Sequence, residues 1–94
     1  MADGTKAVEV RYFAAAEAVT GIRSEVVHLT ARADLRELRT VLVDRHGPDL
    51  GRILAVAGYL LGPAADGRGD GEFTRELSTK VGARVDVMPP FAGG

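Results

Sequence analysis

The sequence has 94 residues, of which 46% are hydrophobic and 27% are charged, and it contains no cysteine. These proportions are typical of one globular domain and not of a disordered chain. Twelve lysines and arginines against thirteen aspartates and glutamates leave a net charge of -1, which argues against a nucleic-acid partner because such binding depends on clustered cations. The lack of cysteine excludes disulfides, thiolate nucleophiles and cysteine-based metal sites.

No apolar run approaches the roughly 20 residues that a membrane-spanning helix needs. The first six residues lack the charged and then apolar layout of a signal peptide. We therefore expect a cytoplasmic protein with no membrane partner.

The first half of the sequence predicts two strands and a short helical turn. Apolar residues alternate with charged ones in residues 6–13, which is the pattern of a half-buried strand. The alanine-rich residues 14–18 favour one helical turn, and residues 24–29 predict a second strand. Strands this close in sequence are expected to pair antiparallel.

The clearest predicted helix covers residues 35–46. Asp34 provides an N-cap, and Glu37 completes a capping box with it. Apolar side chains recur at helical spacing along one face of this segment: Leu35, Leu38, Val41 and Leu42. Gly47 and Pro48 are typical helix-ending residues.

The second half is less regular. Residues 50–54 predict a brief helical or irregular link, and residues 56–61 predict a strand. The glycine- and aspartate-rich residues 62–71 predict an exposed, mobile loop. Residues 76–81 are ambiguous, and alternation in residues 81–88 predicts the last strand.

This order of elements is that of the β-grasp, although the order by itself also fits other small α+β folds. We predict an α+β protein with a mixed sheet of four to five strands and one main helix packed across it. In that arrangement the last strand lies parallel to the first at the centre of the sheet.

No residue pattern indicates an active site within the predicted domain. His46 falls in the last turn of the predicted helix, where a cation complements the helix dipole, and His28 falls in the second strand. No serine lies in a nucleophile motif, and the carboxylates are scattered. The loop glycines in residues 66–71 fit neither a calcium loop nor a dinucleotide site. We therefore expect a protein that is not an enzyme on its own and binds no metal.

The end of the sequence carries the most informative pattern. We predict a domain over residues 1–88 and a flexible tail made of Pro89, Pro90, Phe91, Ala92, Gly93 and Gly94. The prolines lack amide hydrogens and hold φ near -65°, so they end the strand and extend the chain. Gly93 and Gly94 have no Cβ, so their backbone can pass through a channel too narrow for side chains. Such a tail delivers the carboxylate of Gly94, which a partner enzyme must first activate, for instance as an acyl-adenylate.

The sequence resembles the MoaD/ThiS-like sulfur carriers, which are ubiquitin-like β-grasp proteins, and most nearly the small subunits of molybdopterin synthase. The resemblance rests on Val-Arg-Tyr-Phe-Ala at residues 10–14, Arg-His-Gly-Pro at residues 45–48, and residues 85–94 with their terminal Pro-Pro-Phe-Ala-Gly-Gly. The terminal pattern is the specific part, and the hydrophobic spacing matches along essentially the whole chain.

The resemblance implies a carrier that binds no cofactor itself. An E1-like adenylating enzyme would use ATP and magnesium to activate Gly94, and a persulfide donor would convert the adenylate to a thiocarboxylate. The tail with its thiocarboxylate would then enter the large subunit of molybdopterin synthase, in an expected heterotetramer, and give sulfur to cyclic pyranopterin monophosphate. Phe91 is the expected anchor for these partners. Phe13 is a candidate partner contact beside it, with plain core packing as the alternative.

Two departures from the resemblance bear on partner choice. Residues 62–73 are longer and richer in glycine than expected, and residues 81–85 replace an acidic turn before the last strand. Two other functions stay open: sulfur carriage for thiamine, cysteine or a secondary metabolite, and a ubiquitin-like modifier or interaction domain. Pro89 and Pro90 favour the molybdopterin type.

Overall fold

The computed structural model describes residues 4–62 and 71–90. Five strands form one sheet: β1 (Thr5–Tyr12), β2 (Ser24–Thr30), β3 (Gly58–Gly62), β4 (Glu72–Thr74) and β5 (Arg84–Met88). The helices of this described part are α1 (Ala14–Thr20), α2 (Leu35–His46) and α3 (Pro48–Leu54). None of these helices is long and apolar enough to cross a membrane.

The strand order is β2-β1-β5-β3-β4, with β5 in the centre of the sheet. β1 and β5 run parallel, and Val10 lies opposite Val85. β2 is antiparallel to β1, and β3 is antiparallel to both β5 and β4. The predicted β-grasp arrangement is confirmed, including the parallel pairing of the first and last strands.

The core lies between the sheet and the helices. Strand alternation turns Val8, Val10 and Tyr12 of β1 toward the helices, beside Val85 and Val87 of β5. The helices contribute buried leucines: Leu35, Leu38 and Leu42 of α2, and Leu50 and Leu54 of α3. Each such leucine stabilises the fold by about 1.5–3 kcal/mol through loss of its exposure to water.

The start of α2 differs in one respect from the predicted capping box. The Asp34 carboxylate accepts a hydrogen bond of 3.0 Å from the Glu37 N–H, as predicted. The Glu37 carboxylate, however, accepts from the N–H and the hydroxyl of Thr30, at 2.8 and 2.7 Å. Thr30 ends β2 and comes within reach of α2, so Glu37 joins the helix to the strand and does not close the box.

Several element boundaries differ from the sequence prediction, and β3 begins at Gly58 and not at residue 56. Residues 48–54 form a regular helix, because Pro48 occupies the first turn, where its missing N–H is harmless. The last strand begins at Arg84 and not at residue 81, and the Val81 N–H instead donates to the Ala33 carbonyl at 3.0 Å. β4 begins at Glu72, directly after the predicted loop of residues 62–71, in a stretch for which no element was predicted. Residues 63–70 of that loop lie outside the described residues.

Candidate docking site at the end of the central strand

The central strand β5 leads to the predicted tail. It ends at Met88, and after it Pro89 is half-buried and Pro90 is exposed. Because β5 has a strand on each side, its end is held by the sheet on both edges. Phe91, Ala92, Gly93 and Gly94 lie outside the described residues, so the roles assigned to them stay predictions.

An apolar pocket of about 260 Å³ lies beside the two prolines. Its walls include the rings of Phe13 and Phe73 together with Met88. Phe13 is 39% exposed and Phe73 is 58% exposed. Adjoining exposed aromatic side chains are typical of surfaces that bind another protein, so this pocket is the candidate docking site.

The backbone next to Phe13 is strained. Phe13 precedes α1 with an extended conformation, and Ala14 follows with a φ of 52°. This left-handed conformation costs a residue with a Cβ roughly 1–2 kcal/mol. Phe13 does not belong to the buried core, and part of its ring lines the pocket beside Pro89. Its role as a partner contact stays a prediction.

Phe73 is the residue of this site that sequence reasoning missed. It lies in β4, opposite Leu60 of β3, and its ring covers Gly58 so closely that a Cβ there would overlap it. A single aromatic between the polar residues Glu72 and Thr74 was the available signal. Three residues are too few for a periodic pattern, so this strand was not predicted.

An ion pair lies next to the aromatic rings on the same face of the sheet. Arg11 donates to both oxygens of Asp86 at 2.7 Å, and Asp86 is only 3% exposed. The hydrogen bond to Asp86 raises the pKa of Arg11, which stays a cation. The Arg11 guanidinium also lies 5.9 Å from the centre of the Phe13 ring, in a cation–π arrangement.

A second cationic group lies near this pair. The Arg84 Nε is 3.8 Å from the Asp86 carboxylate, and this buried atom has no hydrogen-bond partner among the described residues. The face beside the pocket therefore combines apolar rings with a carboxylate shared by two arginines.

A second ionic cluster lies on the helix side and explains His46. The Glu25 carboxylate accepts from the Tyr12 hydroxyl, from Arg45 at 2.7 Å and pairs with His46 at 2.5 Å. These contacts fasten the end of α2 to the start of β2. His28 is exposed on β2. Among residues 4–62 and 71–90, no three potential ligands from histidine, aspartate and glutamate come together as a metal site.

Burial and hydrogen bonding within this cluster shift two pKa values. Burial raises the pKa of Glu25, but the hydrogen bonds from Tyr12, His46 and Arg45 outweigh it, so the net shift is downward. Burial and the hydrogen bond to Glu25 raise the pKa of Tyr12. Glu25 is therefore held as a carboxylate, and the cluster is structural because all its partners lie within the fold.

No protein-family model matches the chain, and a search of curated proteins finds no match. Solved structures do match. SAMP1 from Haloferax volcanii is 25% identical with a TM-score of 0.64, over 94% of this chain and 99% of that one. The Haloferax volcanii HVO 2177 protein is 25% identical with a TM-score of 0.66, over 97% of this chain and 89% of that one.

A crystal structure of H. volcanii small archaeal modifier protein 1 is 24% identical with a TM-score of 0.57, over 92% of this chain and 99% of that one. The fold is the ubiquitin-like β-grasp. In this ubiquitin-like domain Phe13, Met88, Pro89 and Pro90 line one pocket, and Phe73 completes its wall. The match covers nearly the whole length of these small archaeal proteins.

Proposed function

We propose that this chain is a cytoplasmic sulfur carrier whose terminal Gly94 is converted to a thiocarboxylate. One observation carries the proposal: the central strand ends at Met88, and Pro89 and Pro90 follow it beside an exposed aromatic pocket. A strand held on both sides gives the tail a fixed origin, and the pocket offers a partner a place to hold the domain. Gly93 and Gly94 supply the narrow end that an activating site can admit.

The chemistry resides in the partners and in one carboxylate. The Gly94 carboxylate attacks the α-phosphorus of ATP, which forms an acyl-adenylate and releases pyrophosphate. The outer sulfur of a persulfide then attacks the acyl carbon, and AMP leaves. A thiol breaks the sulfur–sulfur bond of the resulting acyl disulfide, so that a thiocarboxylate remains on Gly94 and the donor becomes a disulfide.

The product of sulfur transfer that we propose is the dithiolene of molybdopterin. The resemblance to small subunits of molybdopterin synthase supports this choice, and so does the Pro89–Pro90 pair. The partners are then an E1-like adenylating enzyme, which uses ATP and magnesium, and the large synthase subunit. After each transfer the carrier is released with a carboxylate on Gly94 and is recharged.

A second candidate is a ubiquitin-like protein modifier. It is favoured by one comparison, since a matching structure carries the name small archaeal modifier protein 1. The two functions share the acyl-adenylate and differ in the nucleophile: a lysine amine attacks the activated Gly94 carbonyl in place of sulfur and forms an isopeptide bond.

The intact mass of the chain distinguishes the two candidates. The protein is incubated with its adenylating enzyme, ATP, magnesium and a persulfide donor, with and without a large synthase subunit. A mass gain of one oxygen-to-sulfur exchange, mapped to Gly94 and lost when the synthase subunit and its pterin substrate are added, supports the molybdopterin carrier.

Other results of this experiment contradict part or all of the proposal. A thiocarboxylate that persists beside an active synthase subunit contradicts the molybdopterin role. Adenylation without thiolation, together with Gly94 remnants on lysines of other proteins, favours the modifier. A chain that is not adenylated by an enzyme active on another carrier refutes both.

A further inference from the structure

A second surface lies on the helix side of the molecule, away from the aromatic pocket. It is a groove of about 620 Å³ between α2, α3 and the segment that follows β4. Its floor is apolar and includes Val43 of α2, Ala55 after α3, and Leu77. Val43 and Leu77 are partly buried against the core, and Ala55 is exposed. We call this surface the helix groove.

The rim of the helix groove is cationic. Arg36 and Arg39 of α2 stand on one side, and Arg52 of α3 stands on the other. A smaller cavity of about 120 Å³ continues the groove along Arg39 and Leu77 and adds Arg75. Four arginines therefore line one continuous depression.

Most of these cations lack a counter-ion within the described part of the chain. Arg52 pairs with Asp49, whereas Arg36, Arg39 and Arg75 form no ion pair with any described residue. Like charges three residues apart on a helix, such as Arg36 and Arg39, repel each other and destabilise the isolated helix. An anionic partner would relieve that repulsion.

We propose that the helix groove binds an acidic amphipathic segment of a partner protein. Apolar side chains of that segment would lie over Val43 and Leu77, and its carboxylates would accept paired hydrogen bonds from the planar guanidinium groups. The apolar floor favours this occupant over a bare phosphate, which has no apolar surface to bury. The charge complementarity fixes the orientation of the segment and discriminates against basic partners.

This binding is additional to the chemistry proposed for Gly94. The aromatic pocket and the helix groove lie on opposite faces of the sheet and share no lining residue. Arg75, at the β4 edge, lines the aromatic pocket and the smaller cavity. The groove residues supply no group to the tail chemistry, so this surface selects a further partner.

A defined peptide tests the proposal by NMR titration of the full-length, isotope-labelled chain. The probe is a synthetic amphipathic peptide with leucines at helical spacing and glutamates at the remaining positions. A glutamine-for-glutamate peptide is the control for charge, and inorganic tripolyphosphate is the control for a phosphate ligand. We expect saturable shifts of amides around Val43, Gly51 and Leu77 with the acidic peptide, weakened by salt.

Charge reversal provides the matched comparison. The double variant with Arg36→Glu and Arg39→Glu should raise the dissociation constant of the acidic peptide about tenfold or more. The control double variant with Arg23→Glu and Arg32→Glu makes the same change of net charge outside the groove. It should leave that dissociation constant within about twofold of the wild type. The exposed Arg36→Glu alone serves if the double variant does not fold. The proposal would be overturned if the amide shifts lay outside the groove or if the two double variants had equal effects. It would also be overturned if the glutamine peptide bound as tightly as the acidic one, or if tripolyphosphate bound and the acidic peptide did not.

Discussion

Arg11 holds the carboxylate of Asp86 with two hydrogen bonds of 2.7 Å on the sheet face opposite to the helices. Asp86 lies in the central strand and is 3% exposed, so it needs a partner to offset the loss of water. The parallel register of β1 and β5 places these two residues directly opposite each other. Their pairing also sets Arg11 over the ring of Phe13, which links the ion pair to the candidate docking site.

Replacing Arg11 should destabilise the fold. We expect Arg11→Ala to lower the free energy of unfolding by about 1–3 kcal/mol, because it leaves a buried carboxylate with fewer hydrogen bonds. Arg11→Lys should recover only part of this, since an ammonium cannot form the paired contact. Urea unfolding measures both. Arg23→Ala is the control: its side chain is 90% exposed and 3.7 Å from Glu17, so we expect a change under about 0.5 kcal/mol. Equal losses for Arg11→Ala and Arg23→Ala would contradict the prediction.

The Glu25 cluster should make stability depend on pH in acid. The pKa of Glu25 is lower in the folded state than the ordinary value of 4.5. Its contribution is therefore fully present above the unfolded pKa and is lost as the pH falls through the folded pKa. We expect Glu25→Gln to be less stable than the wild type at pH 7, with the two stabilities converging as the pH falls through the folded pKa of Glu25. Tyr12→Phe removes one donor and should shift acid unfolding to higher pH. Parallel stability curves for all three proteins, recorded by circular dichroism, would be the opposite result.

Two glycines near the α2–α3 junction should respond oppositely to alanine. Gly51 is inside α3, and a Cβ there would lie 3.4 Å from Val43, an ordinary contact. Gly51→Ala should therefore stabilise the protein by about 0.5–1 kcal/mol through helix propensity. Gly47 has a φ of 95° and open space around it, so Gly47→Ala should cost about 1–2 kcal/mol through backbone strain alone. Thermal unfolding of both variants gives the comparison, and the same sign for both would be inconsistent with it.

The tail chemistry predicts that Gly94 tolerates no side chain and no extension. Gly94→Ala, or one residue added after Gly94, should abolish sulfur transfer while the unfolding free energy stays within about 0.5 kcal/mol of the wild type. Thiocarboxylate formation in a single turnover, read by intact mass, measures the effect. Wild-type transfer from either variant would refute the proposed mechanism.

Variants of the aromatic pocket should bind the activating enzyme more weakly, whereas variants of Gly94 should lose sulfur transfer. Phe13→Ser and Phe73→Ser should each raise the KM of the activating enzyme for this chain about tenfold, as loss of one aromatic contact does in protein interfaces. The kcat should change little, because neither ring reaches the reacting group. Val26→Ser is the matched control, since Val26 is 54% exposed and β2 is the other edge of the sheet. A kcat defect with unchanged KM, or an equal effect of Val26→Ser, would argue against docking at this pocket.

Local patterns were sufficient for the elements that have local causes. The bounds of α2 agree with the prediction because Asp34 caps its start, Gly47 ends it, and its leucines recur at helical spacing. β1 could be predicted because eight residues are long enough to show alternation. The resemblance carried by residues 10–14 and by the terminal pattern led to the β-grasp topology, which the strand order confirms.

Features that depend on residues distant in sequence could not be predicted. The three-residue β4 exists because Phe73 pairs with Leu60 and covers Gly58. The Glu37 carboxylate, which was expected to complete the capping box, accepts hydrogen bonds from Thr30 because β2 ends beside α2. Arg11 and Asp86 are 75 residues apart, and no periodicity connects them.

The sequence by itself determined the main helix, the longer strands, the nearly neutral charge balance and the proline and glycine pattern at its end. Each follows from propensities and spacings that act within a few residues. Only the tertiary structure decided that Phe73 stands beside Phe13, that Asp86 is buried under Arg11, and that arginines from two helices line one groove. These contacts arise when sheet register and helix packing bring segments distant in sequence together. Their free energies come from burial and pairing in the folded state, which no local sequence pattern encodes.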